Sequence, residues 1–392
     1  MFERLDLSPP EPILQIAQDF AKDLRTDKID LGVGVYRNAT GQTPVMDVVK
    51  AAERAIVEAQ DTKSYCGLLG NVPYNVAVGK LILGDQYKED GHVAVQTPGG
   101  SGALRLLYDL IKLSGDATVW VPDLTWANHL PVLKRAGLKV QTYPYYDATT
   151  GGVKFEEMCA TLKALGPEDV VLLHGCCHNP TGASLENAHW DIIAELVQQQ
   201  GFVPLVDLAY QGFGDGLEED AYGPRRLYAA ADEMMLAYSC SKNFAIYRER
   251  AGLAMVVSKH ADILPRAIGQ MKFVARTNYS MPPDHGAETV RTILSDADLA
   301  TAWRAELEEM RQRVLDIRTS LVDILRAKTD GTRFDFIGRQ KGMFSLLGCS
   351  REDVVRLREN HAIYMAPDSR VNLAGLSTSQ LDTFGTAIAE TI

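Results

Sequence analysis

The sequence has few of the features that would place the protein in a membrane, on a nucleic acid or outside the cell. No apolar run approaches the ~18 residues that a membrane span requires, and the start, MFERLDLSPPEPIL, carries no signal-like pattern. Its six cysteines follow no regular spacing, so we expect reduced thiols and a cytoplasmic protein. The formal net charge of -11 argues against a nucleic-acid surface, because such surfaces need clustered Lys and Arg.

What the sequence does contain is the composition of a globular enzyme. Hydrophobic residues make up 46% of the chain and charged residues 23%, which excludes a disordered protein. A length of 392 residues is too great for one compact core, so we expect two domains.

Seven short apolar runs alternate with amphipathic helical segments from residue 92 onward. They lie at 92–96, 117–122, 138–145, 169–174, 202–209, 234–239 and 252–257. Runs of this kind predict an α/β fold with a mostly parallel seven-stranded sheet that is covered by helices on both faces. Ligands of such sheets bind beyond the carboxyl ends of the strands.

Outside this region, three segments have clear patterns. KIDLGVGVY at 28–36 predicts a short strand interrupted by glycines, which indicate a bulge, a ligand close to the backbone or equally an ordinary glycine-rich turn. Residues 46–60 have the periodicity of a helix. Apolar residues recur at intervals of three or four from 298 to 328, which predicts one long helix that bridges two domains. The residues after it alternate like a smaller α/β domain.

The stretch SCSKNFAIYRERAG, directly after an apolar run, is the strongest chemical signal. Ser239 and Ser241 flank its start, and Lys242 and Arg250 follow. This arrangement suits an anionic cofactor held by covalent and ionic contacts together, so Lys242 is a candidate Schiff-base lysine. On its own, however, a lysine is most often a surface amine.

Two further strand ends carry polar residues. TPGGSGALRLLYDLI (97–111) opens a helix whose free N–H groups favour an anion, usually phosphate, although a plain strand-to-helix turn gives the same string. It matches neither dinucleotide-binding nor P-loop patterns. In VDLAYQGFGDG (206–216), Asp207 ends a strand and would need a cation or a shared proton, such as a pyridinium nitrogen, unless it caps the next element.

HGCCHNPTG (174–182) places two histidines and two cysteines within five residues, as a metal site would. Because strand side chains alternate between faces, we expect that adjacent cysteines do not reach one ion together, and we predict no metal. Its Asn179 instead presents an amide that could form a hydrogen bond with a ring hydroxyl.

Two arginines are candidate substrate-binding residues. Arg276 and Arg370 could each bind a carboxylate through a bidentate guanidinium, although surface ion pairs are the default for arginine.

Taken together, these strings resemble the class I aminotransferases of the aspartate and aromatic amino acid group, which use pyridoxal 5'-phosphate. The resemblance runs through KIDLGVGVY, PGGSGALR, HGCCHNPTG, DLAYQGFGDGLEED, SCSKNFAIYRERAG and SRVNLAG, in that order. It implies fold type I of the pyridoxal-phosphate transferases, with a large cofactor-binding domain at 45–310. A small domain would combine residues 1–44, including an N-terminal arm, with 311–392, joined through the helix at 298–328. It also implies a homodimer with active sites shared between subunits.

The same resemblance implies roles for individual residues. Lys242 resembles the lysine that holds the cofactor as a Schiff base and then moves the proton, and Asp207 resembles the partner of the pyridine nitrogen. Tyr210 and Asn179 resemble the pair that binds the ring hydroxyl, and Trp126 resembles the ring stacked on the cofactor. The implied phosphate-binding residues are Gly100, Ser101, Ser239, Ser241 and Arg250, completed by Tyr65 of the partner subunit.

Substrate-binding residues are implied in the same way. Arg370 resembles the arginine that binds the α-carboxylate, and Arg276 of the partner subunit resembles the arginine that binds a distal carboxylate. Gly34, His129 and His178 would line or support the site, and Trp126 and Asn179 would also contact the substrate.

The implied specificity is mixed. Ser101, Met281, Cys240 and the pair Gly214-Asp215 resemble the aromatic members, whereas Arg37 and Thr43 resemble the aspartate enzymes. We therefore expect amino-group transfer between aromatic or acidic L-amino acids (tyrosine, phenylalanine, aspartate) and 2-oxoglutarate, by a ping-pong mechanism. The alternative within the family is a strict aspartate aminotransferase, which forms oxaloacetate and glutamate.

Two other classes remain as rivals. A β-lyase or decarboxylase on the same fold would need Lys242, Asp207 and Arg370 but not Arg276. A ligand-sensing regulator would usually carry an attached DNA-binding region, and the chain has no basic segment for one.

Overall fold

The structure is a computed structural model that describes residues 1–7, 12–329 and 331–392. Its strands are β1 (Ile29–Asp30), β2 (His92–Pro98), β3 (Thr118–Pro122), β4 (Lys139–Tyr143), β5 (Tyr146–Asp147), β6 (Gly152–Val153), β7 (Asp169–His174), β8 (Val203–Leu208), β9 (Glu233–Ser239), β10 (Ala251–Ser258), β11 (Phe344–Leu346), β12 (Ile363–Tyr364) and β13 (Arg370–Asn372).

Its helices are α1 (Pro12–Lys22), α2 (Asp47–Ala59), α3 (Val72–Leu83), α4 (Gly99–Ser114), α5 (His129–Arg135), α6 (Phe155–Leu162), α7 (Asn187–Gln200), α8 (Tyr222–Ala230), α9 (Ile263–Asn278), α10 (His285–Ser295), α11 (Ala297–Thr329), α12 (Phe336–Arg339), α13 (Arg351–His361) and α14 (Leu381–Thr391). None of the helices in the described part of the chain combines the length and the apolar composition that crossing a bilayer needs.

The central sheet contains the seven predicted strands in the order β2-β10-β9-β8-β7-β3-β4. All neighbouring pairs from β9 to β4 are parallel, and β10 is antiparallel to both β9 and β2. The prediction of a mostly parallel sheet in an α/β fold is therefore confirmed.

Both faces of this sheet are covered, because alternate strand residues belong to different hydrophobic clusters. Leu173, Val206 and Leu236 pack in one cluster, which we call the first-face cluster, whereas Leu172 and Leu205 pack in a second-face cluster with α4. A strand whose two faces are both buried needs apolar side chains at every position, which explains the continuous runs in the sequence.

A third cluster, the C-terminal cluster, is built from Ile29 and Leu31 together with residues of α11, α13 and α14 and the strands between them. The long helix α11, predicted at 298–328, spans Ala297–Thr329 and is confirmed. Its buried residues pack in the first-face cluster up to Val314 and in the C-terminal cluster from Ile317 onward. The division into domains at 44 and 310 stays a prediction that these separate clusters support.

The strand predicted at 28–36 is mostly wrong, since only Ile29–Asp30 pairs in a sheet. Leu31 still forms backbone hydrogen bonds with Tyr364 and Asn372, but from Gly32 onward side chains supply most of the contacts. Gly32 N donates to Asp30 Oδ1 at 3.0 Å, and Asn372 Nδ2 donates to the carbonyl oxygens of Val33 and Val35, both at 2.7 Å. Residues 31–36 therefore join no strand.

Candidate active site

A cavity of about 740 Å³ is lined by twelve of the predicted site residues. They are Gly34, Gly100, Ser101, Trp126, Asn179, Asp207, Tyr210, Ser239, Ser241, Lys242, Arg250 and Arg370. They lie at or after the carboxyl ends of β3, β7, β8 and β9, at the start of α4, on β13 and in the segment that follows β1. The cavity therefore lies where ligands of open α/β sheets bind.

The antiparallel strand β10 explains why Lys242 and Arg250 share this cavity. Strand β9 ends at Ser239 and β10 begins at Ala251, with Cys240 N donating to Ala251 O at 3.1 Å. Because β10 starts at the edge where β9 ends, the whole connection between them stays at the carboxyl edge of the sheet.

The start of α4 completes a site for an anion. Ala251 pairs with Pro98, which brings Gly99 and Gly100 beside Arg250. Arg250 Nη1 donates to Ser241 Oγ at 3.2 Å, and Ser241 N donates to Ser239 Oγ at 3.3 Å. A guanidinium, two hydroxyls and the N-terminus of a 16-residue helix form a donor set that fits a phosphate group.

Glycine at position 100 suits this arrangement. A Cβ added there would lie 3.0 Å from Ser239 Cβ, so the serine would have to shift by a few tenths of an ångström. Without a side chain at this point the backbone can approach an anion closely.

Asp207 is the buried carboxylate of the site, and His129 is its partner. His129 Nε2 lies 3.0 Å from Asp207 Oδ2, and its Nδ1 lies 2.7 Å from Thr125 Oγ1. Burial alone would raise the pKa of Asp207, but the hydrogen bond with His129 and the positive charge of Lys242 bring this pKa below its ordinary value. The carboxylate is thus kept ionised, as a pyridinium partner must be.

A chain of polar groups continues behind His129. Thr125 Oγ1 also lies 2.9 Å from His174 Nε2, and burial lowers the pKa of His174 to about 3, so that this ring is neutral. His178 stacks on Tyr145 with 4.1 Å between ring centroids, and burial holds its pKa well below the ordinary value. Neither Thr125 nor His174 stands out in the sequence as a support of Asp207, because Thr125 lies in the loop before α5 and His174 on a different strand.

Lys242 is half-buried, with its Nζ 4.8 Å from the centroid of the Tyr210 ring. Burial, with a smaller contribution from Arg250, lowers the pKa of Lys242 to about 8, while Asp207 opposes this change. A much larger share of neutral amine is therefore present near neutral pH than on an exposed lysine, which suits a nucleophile and proton carrier.

Tyr210, Asn179 and Arg370 form a connected group next to this amine. Asn179 Nδ2 donates to Tyr210 Oη at 3.3 Å, and Arg370 Nη1 donates to Asn179 Oδ1 at 3.3 Å. Burial raises the pKa of Tyr210, and the charge of Arg370 opposes that rise. Arg370 Nη2 also donates to Gly32 O at 2.8 Å, which fixes the guanidinium within the cavity.

The ring of Phe344 packs against Arg370 and Tyr210 of this group. The sequence does not indicate this contact. The Arg370 guanidinium lies 4.6 Å from the centroid of its ring, and the Tyr210 ring meets it edge-on at 6.0 Å. A Cβ added at Gly34 would lie 2.8 Å from Phe344 Cζ, so Gly34 lets the ring reach the cavity.

Tyr65 and Arg276 do not line the cavity of their own chain. Tyr65 is 92% exposed, as predicted for its loop. Arg276, for which the sequence suggests partial burial, is instead exposed on α9, where its Nη1 donates to Ser280 Oγ at 2.7 Å. Their predicted roles therefore require a second subunit.

The expectation that Cys176 and Cys177 point to opposite faces is wrong. Strand β7 ends at His174, so both cysteines follow the strand, and Cys177 adopts a left-handed φ of 50°. Their Sγ atoms lie within 4.8 Å of each other and of a carboxylate oxygen of Asp220.

The chain is similar in sequence and fold to known aminotransferases. The family model described as aminotransferase class I and II matches residues 26–388. The aromatic-amino-acid aminotransferase of Paracoccus denitrificans is 46% identical over 391 residues, covering 100% of this chain and 99% of that protein. The aspartate aminotransferase of Escherichia coli is 42% identical over 385 residues, 97% of each chain.

A solved structure adds the cofactor to this comparison. The aromatic-amino-acid aminotransferase of Burkholderia pseudomallei, covalently bound to pyridoxal phosphate, superposes with a TM-score of 0.96 at 40% identity, covering 100% of this chain and 99% of that one. The match of the family model over residues 26–388 and the full-length relatives lead to one conclusion: the chain belongs to the class I and II aminotransferases and is a pyridoxal-phosphate-dependent enzyme.

Proposed function

We propose that the protein transfers amino groups between aromatic or acidic L-amino acids (tyrosine, phenylalanine, aspartate) and 2-oxoglutarate, in a ping-pong reaction. The observation that carries this proposal is one cavity that combines an anion cradle, the amine of Lys242 with its lowered pKa, and the guanidinium of Arg370, which suits a carboxylate. The similarity to the Escherichia coli enzyme named for aspartate keeps a strict aspartate aminotransferase as the second candidate.

The residues of the cavity fit the cofactor. Arg250, Ser239, Ser241 and the N-terminus of α4 would hold its phosphate, and the ionised Asp207 would hold its ring nitrogen in the protonated form. When bound, pyridoxal phosphate accepts the amino group and withdraws electrons from the substrate Cα.

The protein's own groups supply orientation and proton transfer. The Arg370 guanidinium, tied to Gly32 and Asn179, binds the α-carboxylate in a fixed direction. Lys242 would hold the cofactor covalently, and its free Nζ would take a proton from the substrate Cα. Its lowered pKa keeps this amine able to accept that proton near neutral pH.

The cavity can accept substrates with aromatic or with acidic side chains. Ile13, Leu14, Leu104 and Phe344 add apolar surface to it, against which an aromatic ring can pack. A second carboxylate needs a second cation, and we propose Arg276 of the partner subunit for this role.

A homodimer would bring Arg276 and Tyr65 to the cavity of the neighbouring chain. Exposed apolar side chains support such an assembly: Phe273, on the same helix as Arg276, is 57% exposed, and the N-terminal residues Phe2, Leu5 and Leu7 are 71–100% exposed. The cytoplasmic location stays a prediction from the reduced cysteines.

The decisive experiment compares kcat/KM for aspartate and for phenylalanine, each with 2-oxoglutarate, in the wild type and in Arg276→Ala. We expect aspartate to lose roughly 100-fold, since a charged bidentate contact contributes about 3 kcal/mol, and phenylalanine to change only a few-fold. Arg266→Ala, an exposed arginine on the same helix, is the matched control and should leave both values unchanged.

Equal losses of kcat/KM for both substrates would show that Arg276 does not bind the distal carboxylate. In the half-reaction, aspartate should convert the bound cofactor to its amino form. Release of CO2, or of ammonia and pyruvate, would instead contradict transamination and favour the decarboxylase or β-lyase.

A further inference from the structure

A second, small cavity of about 30 Å³ lies outside the active site, and its lining is strongly polar. Cys176, Cys177 and Asp220 line it, together with Asp215 and Lys341. This volume exceeds the ~10–15 Å³ that one water-sized occupant needs.

Asp220 is a buried carboxylate that forms no salt bridge with any described residue. It is only 6% exposed, and its oxygens accept hydrogen bonds from the backbone N–H groups of Gly212 and Gly214, both at 2.8 Å, and of Asp215 at 3.0 Å. The cation of the lining, Lys341, pairs with Asp215 instead, and the positive charge of Arg311 acts on Asp220 without a direct contact. A buried negative charge whose direct partners are all neutral donors is costly, and a bound cation would offset that cost.

The two thiols provide the remaining ligands. Cys176 Sγ, Cys177 Sγ and one carboxylate oxygen of Asp220 all lie within 4.8 Å of one another, and both cysteines are free of disulfides. Two sulfur ligands and one oxygen select a soft divalent cation such as zinc over magnesium or calcium. The left-handed backbone at Cys177, with the loop after β7, brings the two sulfurs to the same side.

The cavity also leaves room for a fourth ligand. Ser184 lines it, and among the described residues no group forms a hydrogen bond with the buried Ser184 Oγ. A water molecule bound to the cation could donate to this oxygen, which would complete a tetrahedral arrangement.

We propose that Cys176, Cys177 and Asp220 bind one divalent cation of the zinc class, with water as the fourth ligand. The site is separate from the cofactor cavity and uses neither Lys242 nor Arg250. It would hold the loop after β7 against the loop at 212–216, which follows Tyr210.

Cadmium is a suitable probe, because its thiolate complexes absorb in the ultraviolet. The pyridoxal-phosphate holoenzyme is titrated with Cd²⁺, and bound metal is counted after dialysis, in the wild type, Cys176→Ser and Cys177→Ser. We expect one Cd²⁺ per chain with a thiolate band in the wild type. Each serine variant should bind at least roughly tenfold more weakly, since replacing even an outer-shell partner of a metal site costs about that much.

Cys66→Ser is the matched control, because Cys66 is an exposed cysteine outside this cavity, and it should bind as the wild type does. Asp220→Asn is a supporting variant only, since Asp220 also holds three backbone amides. Equal affinity in the wild type and both serine variants, loss of binding in Cys66→Ser, or a Cys176–Cys177 disulfide in the purified holoenzyme would each overturn the proposal.

Discussion

At the scale of single residues, the state of Asp207 depends on His129. The pKa of Asp207 lies below its ordinary value of 3.8 in the folded chain, so the ionised carboxylate stabilises the fold above that pH. This contribution is lost as the pH falls through the lowered pKa. His129→Leu removes the hydrogen bond and leaves the burial, so the pKa of Asp207 should rise.

The expected result for His129→Leu is a pH-rate profile of kcat/KM whose acidic limb moves upward by about one pH unit. A hydrogen bond to a charged group contributes about 1.5 kcal/mol, which equals roughly one pKa unit. Activity should therefore fall more at pH 4 to 5 than at pH 8. His260→Gln, at an exposed histidine, should leave the profile unmoved, and an unmoved profile in His129→Leu would refute the role of His129.

Residues that act through sequence-local motifs could be predicted, whereas residues that act through distant contacts could not. Lys242 and Asp207 stand at strand ends in recognisable strings, and the structure brings them to one cavity. Phe344 contacts Arg370 and Tyr210 from a separate strand, and no spacing between residues in the sequence predicts that contact. Tyr65 and Arg276 stay predictions, because one chain alone cannot test them.

At the scale of elements, α11 is fixed to the strand β11 region by one buried arginine. Arg318 is 1% exposed and donates to the carbonyl oxygens of Ile337 at 2.9 Å, Gly342 at 2.8 Å and Phe344 at 2.6 Å. Burial lowers its pKa to about 10, and no carboxylate among the described residues pairs with it.

Arg318→Met should lower the free energy of unfolding by about 3–5 kcal/mol, since several buried carbonyls lose their donor together. Urea unfolding, followed by fluorescence, measures the change. Arg326→Met, on the same helix at a half-exposed ion pair with Asp335, should cost under about 1 kcal/mol. Similar losses in the two variants would show that Arg318 is not a special anchor.

Elements with a clear period were predicted well, and irregular ones were not. The seven sheet strands and α11 follow from continuous or periodic apolar residues, whose burial decides their structure. The segment 28–36 looks like a strand, but the side chains of Asp30 and Asn372 satisfy its backbone instead. The contacts from Asn372 join residues more than 300 positions apart and leave no local pattern in the sequence.

At the scale of the whole molecule, shared active sites predict complementation between inactive subunits. Lys242→Ala should abolish transamination, and Arg276→Ala should be poor with aspartate. If Arg276 serves the neighbouring chain, a mixed dimer contains one site with both residues intact. Random reassortment should therefore restore about a quarter of the wild-type aspartate activity, because half of the dimers are mixed and each has one working site.

The control is a mixture of Lys242→Ala with the wild type. Its activity should be proportional to the number of chains that retain Lys242. Shared sites would be excluded if the mixture of Lys242→Ala and Arg276→Ala never exceeded the average aspartate activity of the two separate variants. Sedimentation should show a dimer for each variant before mixing.

The helix α11 has one more consequence, which is mechanical. Its 33 residues span about 50 Å at 1.5 Å per residue, with the change from the first-face cluster to the C-terminal cluster near its middle. A tilt of about 5° there would displace the far end by about 2 Å over a half-length of about 25 Å. Strand β13, which carries Arg370, packs in the C-terminal cluster through Val371. A small rotation of α11 would therefore move the Arg370 guanidinium relative to the sheet and change how it binds a carboxylate.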